Sequence, residues 1–164
     1  DLAERIFIVG GCAKGWAMTG WRIGWLAGNT EVVKAASALQ SQSTSNVCTF
    51  AQYGALAAVS GSRECVQAMA ASFNQRRAQL SAGLLSIPGI RLRPPEGAFY
   101  AFPDVSDHGL DSVSLSNRLL DEVGLAVVPG KAFGDDHCIR LSCAASAESI
   151  EDGLGRLERF LAAL

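Results

Sequence analysis

The sequence has no basic tract, no apolar run long enough to span a membrane, no CxxC pair and only two histidines. Each absence excludes something. Fourteen Lys and Arg against sixteen Asp and Glu give a formal charge of −2, and without a cluster of cations nothing follows a phosphate backbone, so nucleic acid is not an expected partner. The missing apolar run argues against a membrane span, and the first residues lack the charged and then apolar layout of a signal peptide. A soluble cytoplasmic protein is the expectation. Cys12, Cys48, Cys65, Cys138 and Cys143 are scattered and odd in number, which predicts buried reduced thiols rather than a disulfide framework or a zinc site. Gly134 to His137, GDDH, places two aspartates beside a histidine, but contiguous ligands rarely converge on one ion. A polar turn is expected there, and no metal.

Charged residues make up 18% of the chain and hydrophobic ones 49%, a balance that predicts a well-filled interior. With 164 residues, the chain suffices for one sizeable core, or for a small domain joined to part of a second. It opens on Asp1 with no methionine before Met18, which suggests a piece of a longer chain or a processed one.

The pattern along the chain is mixed α/β. Ile6 to Val9 form an apolar run that predicts a short buried strand over Arg5 to Val9 ended by Gly10-Gly11, and a second strand is expected over Arg22 to Ala27. Thr30 or Asn29 can cap a helix over Glu31 to Gln40. Gln40 to Asn46, QSQSTSN, has no apolar residue and is expected to be a loop. Thr49 can cap a helix running to about Val59 and ended by Gly61. A long helix follows from about Arg63 to Leu85, stopped by Pro88-Gly89, with Val66, Met69, Phe73, Leu80 and Leu84 mostly on one face. It is long enough to connect two domains, which predicts residues 1–60 as one and 61–164 as the other. Strands are expected at Ile90 to Arg93, Gly97 to Phe102, Leu125 to Val128 and Cys138 to Cys143, with a helix over Val113 to Val123 capped by Gly124. A last helix after Ser146 carries Ile150, Leu154, Leu157 and Leu161 along one face. The second part therefore has the pattern of a compact α/β domain with helices over a small sheet.

Two cations stand out. Lys14 and Arg22 lie among glycines and tryptophans in IVGGCAKGWAMTGWRIGW, Ile8 to Trp25, and a buried cation without a partner is costly. An anionic ligand is the expected partner. A nucleotide-binding phosphate loop does not fit, because it needs GxxxxGK followed by Ser or Thr, whereas Lys14 here precedes Gly15 and Trp16.

The string AKGWAMTGWRIG, Ala13 to Gly24, resembles the lysine motif of the class I and II aminotransferases, the aspartate aminotransferase group of fold type I pyridoxal-phosphate enzymes. Further similar strings follow in the family's order: QSQSTSN at Gln40 to Asn46, PEGAFYAFPD at Pro95 to Asp104, VVPGKAFG at Val127 to Gly134 and IRLSCAAS at Ile139 to Ser146. The resemblance implies the end of the cofactor-binding large domain followed by the small α/β domain. It implies that Lys14 forms the Schiff base with pyridoxal 5′-phosphate and then moves a proton at the substrate α-carbon, for which its amine must be neutral. Arg22 is implied as the ligand of the cofactor phosphate and Arg140 as the clamp for the substrate carboxylate, roles suited to a planar guanidinium fork. Phe99 is implied at the substrate cleft, although an aromatic residue in a strand is more often core. Ser45 and Asn46 correspond to a loop near the active site across a dimer interface, so a homodimer is expected.

The implied activity is amino transfer between an amino acid, aspartate or one related to it, and a 2-oxo acid such as 2-oxoglutarate. No arginine stands in QSQSTSN, where some members place a second carboxylate clamp. The family's remaining cofactor ligands precede its lysine, and only thirteen residues precede Lys14. Little transaminase activity is therefore expected of this chain by itself. Two alternatives stay open: a cofactor-sensing domain of a DNA-binding regulator, and a pyridoxal-phosphate lyase or racemase of the same fold.

Overall fold

A computed structural model describes residues 2–164, and the chain divides into two compact units, Asp1–Ala68 and Met69–Leu164. The expected boundary at Ser60-Gly61 is the end of the second helix; the division itself falls early in the long helix that follows.

The first unit contains β1 (Ile8–Gly11), β2 (Gly24–Ala27), α1 (Thr30–Ser43) and α2 (Thr49–Ser60). β1 and β2 pair antiparallel, with Gly11 opposite Gly24 and Gly10 opposite Trp25. The strand starts later than its apolar run because Arg5 N–H turns back to the Leu2 carbonyl at 2.9 Å. It also continues through the glycines expected to end it. There the two backbones approach so closely that a Cβ on Gly24 would lie 2.6 Å from the Gly10 carbonyl oxygen, so glycine serves the pairing instead of breaking it. The expectation of a buried strand is also overturned. Ile8 is 61% and Val9 82% exposed, because nothing among the described residues packs over them.

Asn29 caps α1 by accepting hydrogen bonds from the Glu31 and Val32 amides. α1 then extends three residues past Gln40, into the segment expected to be a loop. Lack of apolar residues does not stop a helix whose solvent face is glutamine and serine, and Ser41 and Ser43 return their hydroxyls to carbonyls within the helix. Thr49 is the first residue of α2, not its cap. Cys48 holds the capping position without a side-chain bond.

The second unit takes most of α3 (Glu64–Ser86), then β3 (Tyr100–Ala101), α4 (Ser112–Val123), β4 (Val128–Pro129), β5 (Ile139–Ser142) and α5 (Ala147–Leu161). The sheet order is β3-β5-β4, all antiparallel. Its strands are shorter than expected for identifiable reasons. Ala98 is left-handed and interrupts extension before Tyr100. The Leu125 amide is drawn back to the Leu119 carbonyl by the Gly124 cap of α4. Ile90 to Arg93 makes only a bridge, Arg91 to Asp104. Alternation in β5 turns Ile139 and Leu141 into the core and leaves Arg140 half-buried on the other face. Ser146 caps α5, whose Ile150, Leu157 and Leu161 join Leu84, Leu115 and Leu119 in a single core.

All five cysteines are free, but only Cys12, Cys138 and Cys143 are buried. Cys48 and Cys65 are exposed, because each lies at the start of a helix outside the core. Burial, assisted by a hydrogen bond to Asp135, pushes the Cys138 thiol up to about 11. In GDDH the Asp135 carboxylate accepts from the His137 amide, which makes the segment a self-bonded turn.

One carboxylate in this unit makes stability depend on pH. The Ser106 amide, then the Ser106 hydroxyl and the Arg91 guanidinium, hold Asp104 at about 2 against an ordinary 3.8. A depressed folded value favours the folded state above the unfolded value, and that advantage disappears as pH falls through the folded one. Wild type is therefore expected to be more stable than Asp104→Asn at neutral pH, the difference shrinking below 3.8 and closing near 2. Paired urea titrations across that range check it; a constant difference would contradict it.

Candidate functional site

The antiparallel pairing of β1 with β2 fixes where the two singled-out cations emerge. Lys14 follows the last residue of β1 by three positions and Arg22 precedes the first residue of β2 by two, so both leave the same end of the ladder. The loop between them is tightly folded. Cys12, fully buried, accepts at its carbonyl from the Trp16 and Met18 amides at 3.3 Å, and the Ala17 amide donates to the Lys14 carbonyl at 3.1 Å. Arg22 closes a 3-10 turn over Thr19–Trp21 and donates from Nη1 to the Thr19 carbonyl at 2.9 Å. Among the described residues no carboxylate pairs with Arg22.

Four non-glycine residues are left-handed among those described: Ala17 (φ 54°), Arg22 (φ 52°), Ser45 (φ 61°) and Ala98 (φ 59°). Each costs on the order of 1 kcal/mol. All four lie in or beside segments that the sequence had singled out, namely the Lys14 to Arg22 loop, Ser45-Asn46, and the residue before Phe99. A cavity of 450 Å³ beside Arg22 is lined by Trp21, Asn46, Val47 and Phe50, and one of 430 Å³ by Ile23, Gln40, Ser45 and Asn46. Asn46 thus borders both. Trp16 Nε1, in the same loop as Lys14, is buried with no hydrogen-bond partner among the described residues.

Arg140 and Phe99 lie in the second unit. Arg140 is on the central strand β5, opposite Val128. Its Cζ is 4.3 Å from the centre of the Tyr100 ring and 4.5 Å from that of Phe133. Phe99 is half-buried against Tyr100, with ring centres 4.4 Å apart, and against Phe73 at 6.0 Å. Among the described residues no carboxylate pairs with Arg140 either. The sequence had singled out Arg140 without the two rings that flank it. Register alone would have exposed Tyr100, whose partner Ser142 shares a strand face with Arg140. Phe133 had no such signal.

A profile described as aminotransferase class I and II matches residues 1–157. The chain belongs to that family. The aspartate aminotransferase of Streptomyces avermitilis is 43% identical to this chain, the match covering 98% of this chain and 42% of that protein. The solved aspartate aminotransferase of Rhizobium meliloti superposes with a TM-score of 0.94 at 33% identity, covering 98% of this chain and 43% of that one. An aromatic aminotransferase from Pyrococcus horikoshii OT3 gives 0.94 at 35% identity, covering 98% and 44%. This chain spans about 42% of the length of the curated aminotransferases it matches. No helix among the described residues is long and apolar enough to cross a membrane.

Proposed function

We propose that this chain carries the lysine and the two anion-binding arginines of a pyridoxal-phosphate-dependent aminotransferase. The observation that carries the reading is the single ladder end from which Lys14 and Arg22 both leave. An amine and a guanidinium that leave one ladder end suit a ligand that is at once an aldehyde and a phosphate dianion, and among the described residues no carboxylate pairs with Arg22. Two further observations favour a ligand at that end: the unpartnered Trp16 Nε1 and the left-handed backbone at Ala17 and Arg22.

When bound, pyridoxal phosphate supplies an aldehyde for an amine and a pyridine ring that draws electrons from the substrate α-carbon. The chain's own residues do the rest. Arg22 would hold the phosphate, Lys14 would move the proton at the substrate α-carbon, and Arg140 would hold the α-carboxylate. Phe99 supplies an apolar wall to the substrate side. The amino donor is aspartate or an amino acid related to it and the acceptor a 2-oxo acid such as 2-oxoglutarate. The whole enzyme is a cytoplasmic homodimer, with no nucleic-acid or membrane partner. Such an enzyme needs cofactor ligands beyond those in these residues, so turnover by this chain alone is expected to be slight.

Borohydride reduction after incubation with pyridoxal phosphate tests the reading without turnover. The sequence has three lysines, Lys14, Lys34 and Lys131. Lys34 is paired with Glu31 and Lys131 with Asp136. Peptide mapping is expected to find the reduced adduct on Lys14, with Lys14→Ala abolishing it and Arg22→Gln weakening capture roughly tenfold, in line with a lost charged phosphate contact. An adduct spread evenly over all three lysines would count against the assignment.

A further inference from the structure

Arg140 is flanked from both sides of its strand. β5 lies between β3 and β4; Tyr100 comes from β3, and Phe133 from the 3-10 turn Gly130–Phe133 that follows β4. The rings themselves are braced. Phe102 meets Phe133 edge-on at 5.9 Å, while Phe99 backs Tyr100 and is backed in turn by Phe73. The turn carrying Phe133 is pinned as well. Ser112, fully buried at the start of α4, accepts from the Lys131 amide at 3.1 Å and donates to Asp136 Oδ1 at 2.6 Å. Lys131 Nζ reaches the other oxygen of Asp136 at 3.4 Å, and the Ser112 hydroxyl holds that carboxyl below its usual range.

A free arginine side chain surrenders considerable rotamer freedom when it grips a carboxylate. A ring on either side attracts the delocalised charge without consuming its N–H donors. The guanidinium is therefore restrained before any ligand arrives, and its donors stay available for a two-point contact.

We propose that Phe133 and Tyr100 are positioning residues for Arg140, and that the Ser112–Asp136 clasp sets Phe133 in place. The inference rests on the reading of Arg140 as a carboxylate-binding residue and adds to it the device that orders the fork. Phe133 is 51% exposed, so its replacement leaves the core intact.

The test uses the 164-residue chain labelled with ¹⁵N-arginine. The Arg140 Nε–H resonance is assigned by its loss in Arg140→Lys, then titrated with acetate and with L-aspartate. In wild type the resonance is expected to be displaced by the ring currents and to move on titration. Phe133→Leu and Tyr100→Leu are expected to return it toward the position of an unstructured arginine and to weaken carboxylate binding roughly fivefold. Ser112→Ala, which frees the turn but keeps the ring, is expected to lie between. Carboxylate binding that is unchanged in Phe133→Leu and Tyr100→Leu would overturn the positioning role while leaving Arg140 as the carboxylate ligand. No response of Arg140 to either carboxylate in any protein would overturn both.

Discussion

Gly130→Ala is expected to destabilise the second unit by about 3 kcal/mol, through overpacking and a lost backbone hydrogen bond. The added Cβ meets backbone, the carbonyl groups of Cys138 and Asp135, neither of which can rotate away as a side chain could. The Gly130 amide donates to that same Cys138 oxygen at 2.8 Å, and the Asp135 amide donates to the Gly130 carbonyl at 3.2 Å. Any shift that relieves the clash therefore opens the turn holding Phe133. Gly134, in the same turn, is the comparison: its φ is +90°, but a Cβ there meets nothing within 4 Å. Gly134→Ala costs about 1 kcal/mol, from backbone strain alone. Urea unfolding of the two variants should separate them clearly. Equal losses would contradict a role for the close approach at Gly130.

Leu157→Ala is the second large effect, at about 3 kcal/mol. Leu157 is fully buried in the core that α5 shares with α3, α4 and β5, and removing its branched end leaves a cavity in a cluster whose Leu84, Leu115, Leu119 and Ile139 are each 0% exposed. Close-packed neighbours on rigid elements collapse into such a gap only in part. Leu120→Ala, on the outer side of α4 where the leucine is 54% exposed, should change stability by less than about 0.5 kcal/mol. Denaturation midpoints that move while the slope stays constant would support this assignment. Similar losses for the two leucines would refute the burial pattern.

The elements that could be foreseen are those specified within a few residues. Asn29 caps α1, Ser146 caps α5 and Gly124 ends α4 in the left-handed conformation, because a capping side chain or a missing Cβ acts on the backbone beside it. The α5 stripe and the in-and-out order of β5 were legible for the same reason: periods of 3.6 and 2 are written along the chain. Strand length was not. The expected strand at Ile90 to Arg93 shrank to one bridge because its partners come from Asp104 and beyond, and no local signal states a register.

For the candidate site, the residue types and their spacing in Ala13 to Gly24 determined by themselves the family likeness and the lysine and arginine to examine. Only the tertiary structure decided that Gly11 faces Gly24, which sends Lys14 and Arg22 out of one end of a ladder. It alone decided that Val9 is exposed rather than buried, and that Tyr100 and Phe133, separated along the chain, meet at Arg140. The physical reason is common to the first and the last. Hydrogen-bond pairing between distant strands sets which side chains become neighbours, and that pairing is a property of the folded chain as a whole rather than of any segment.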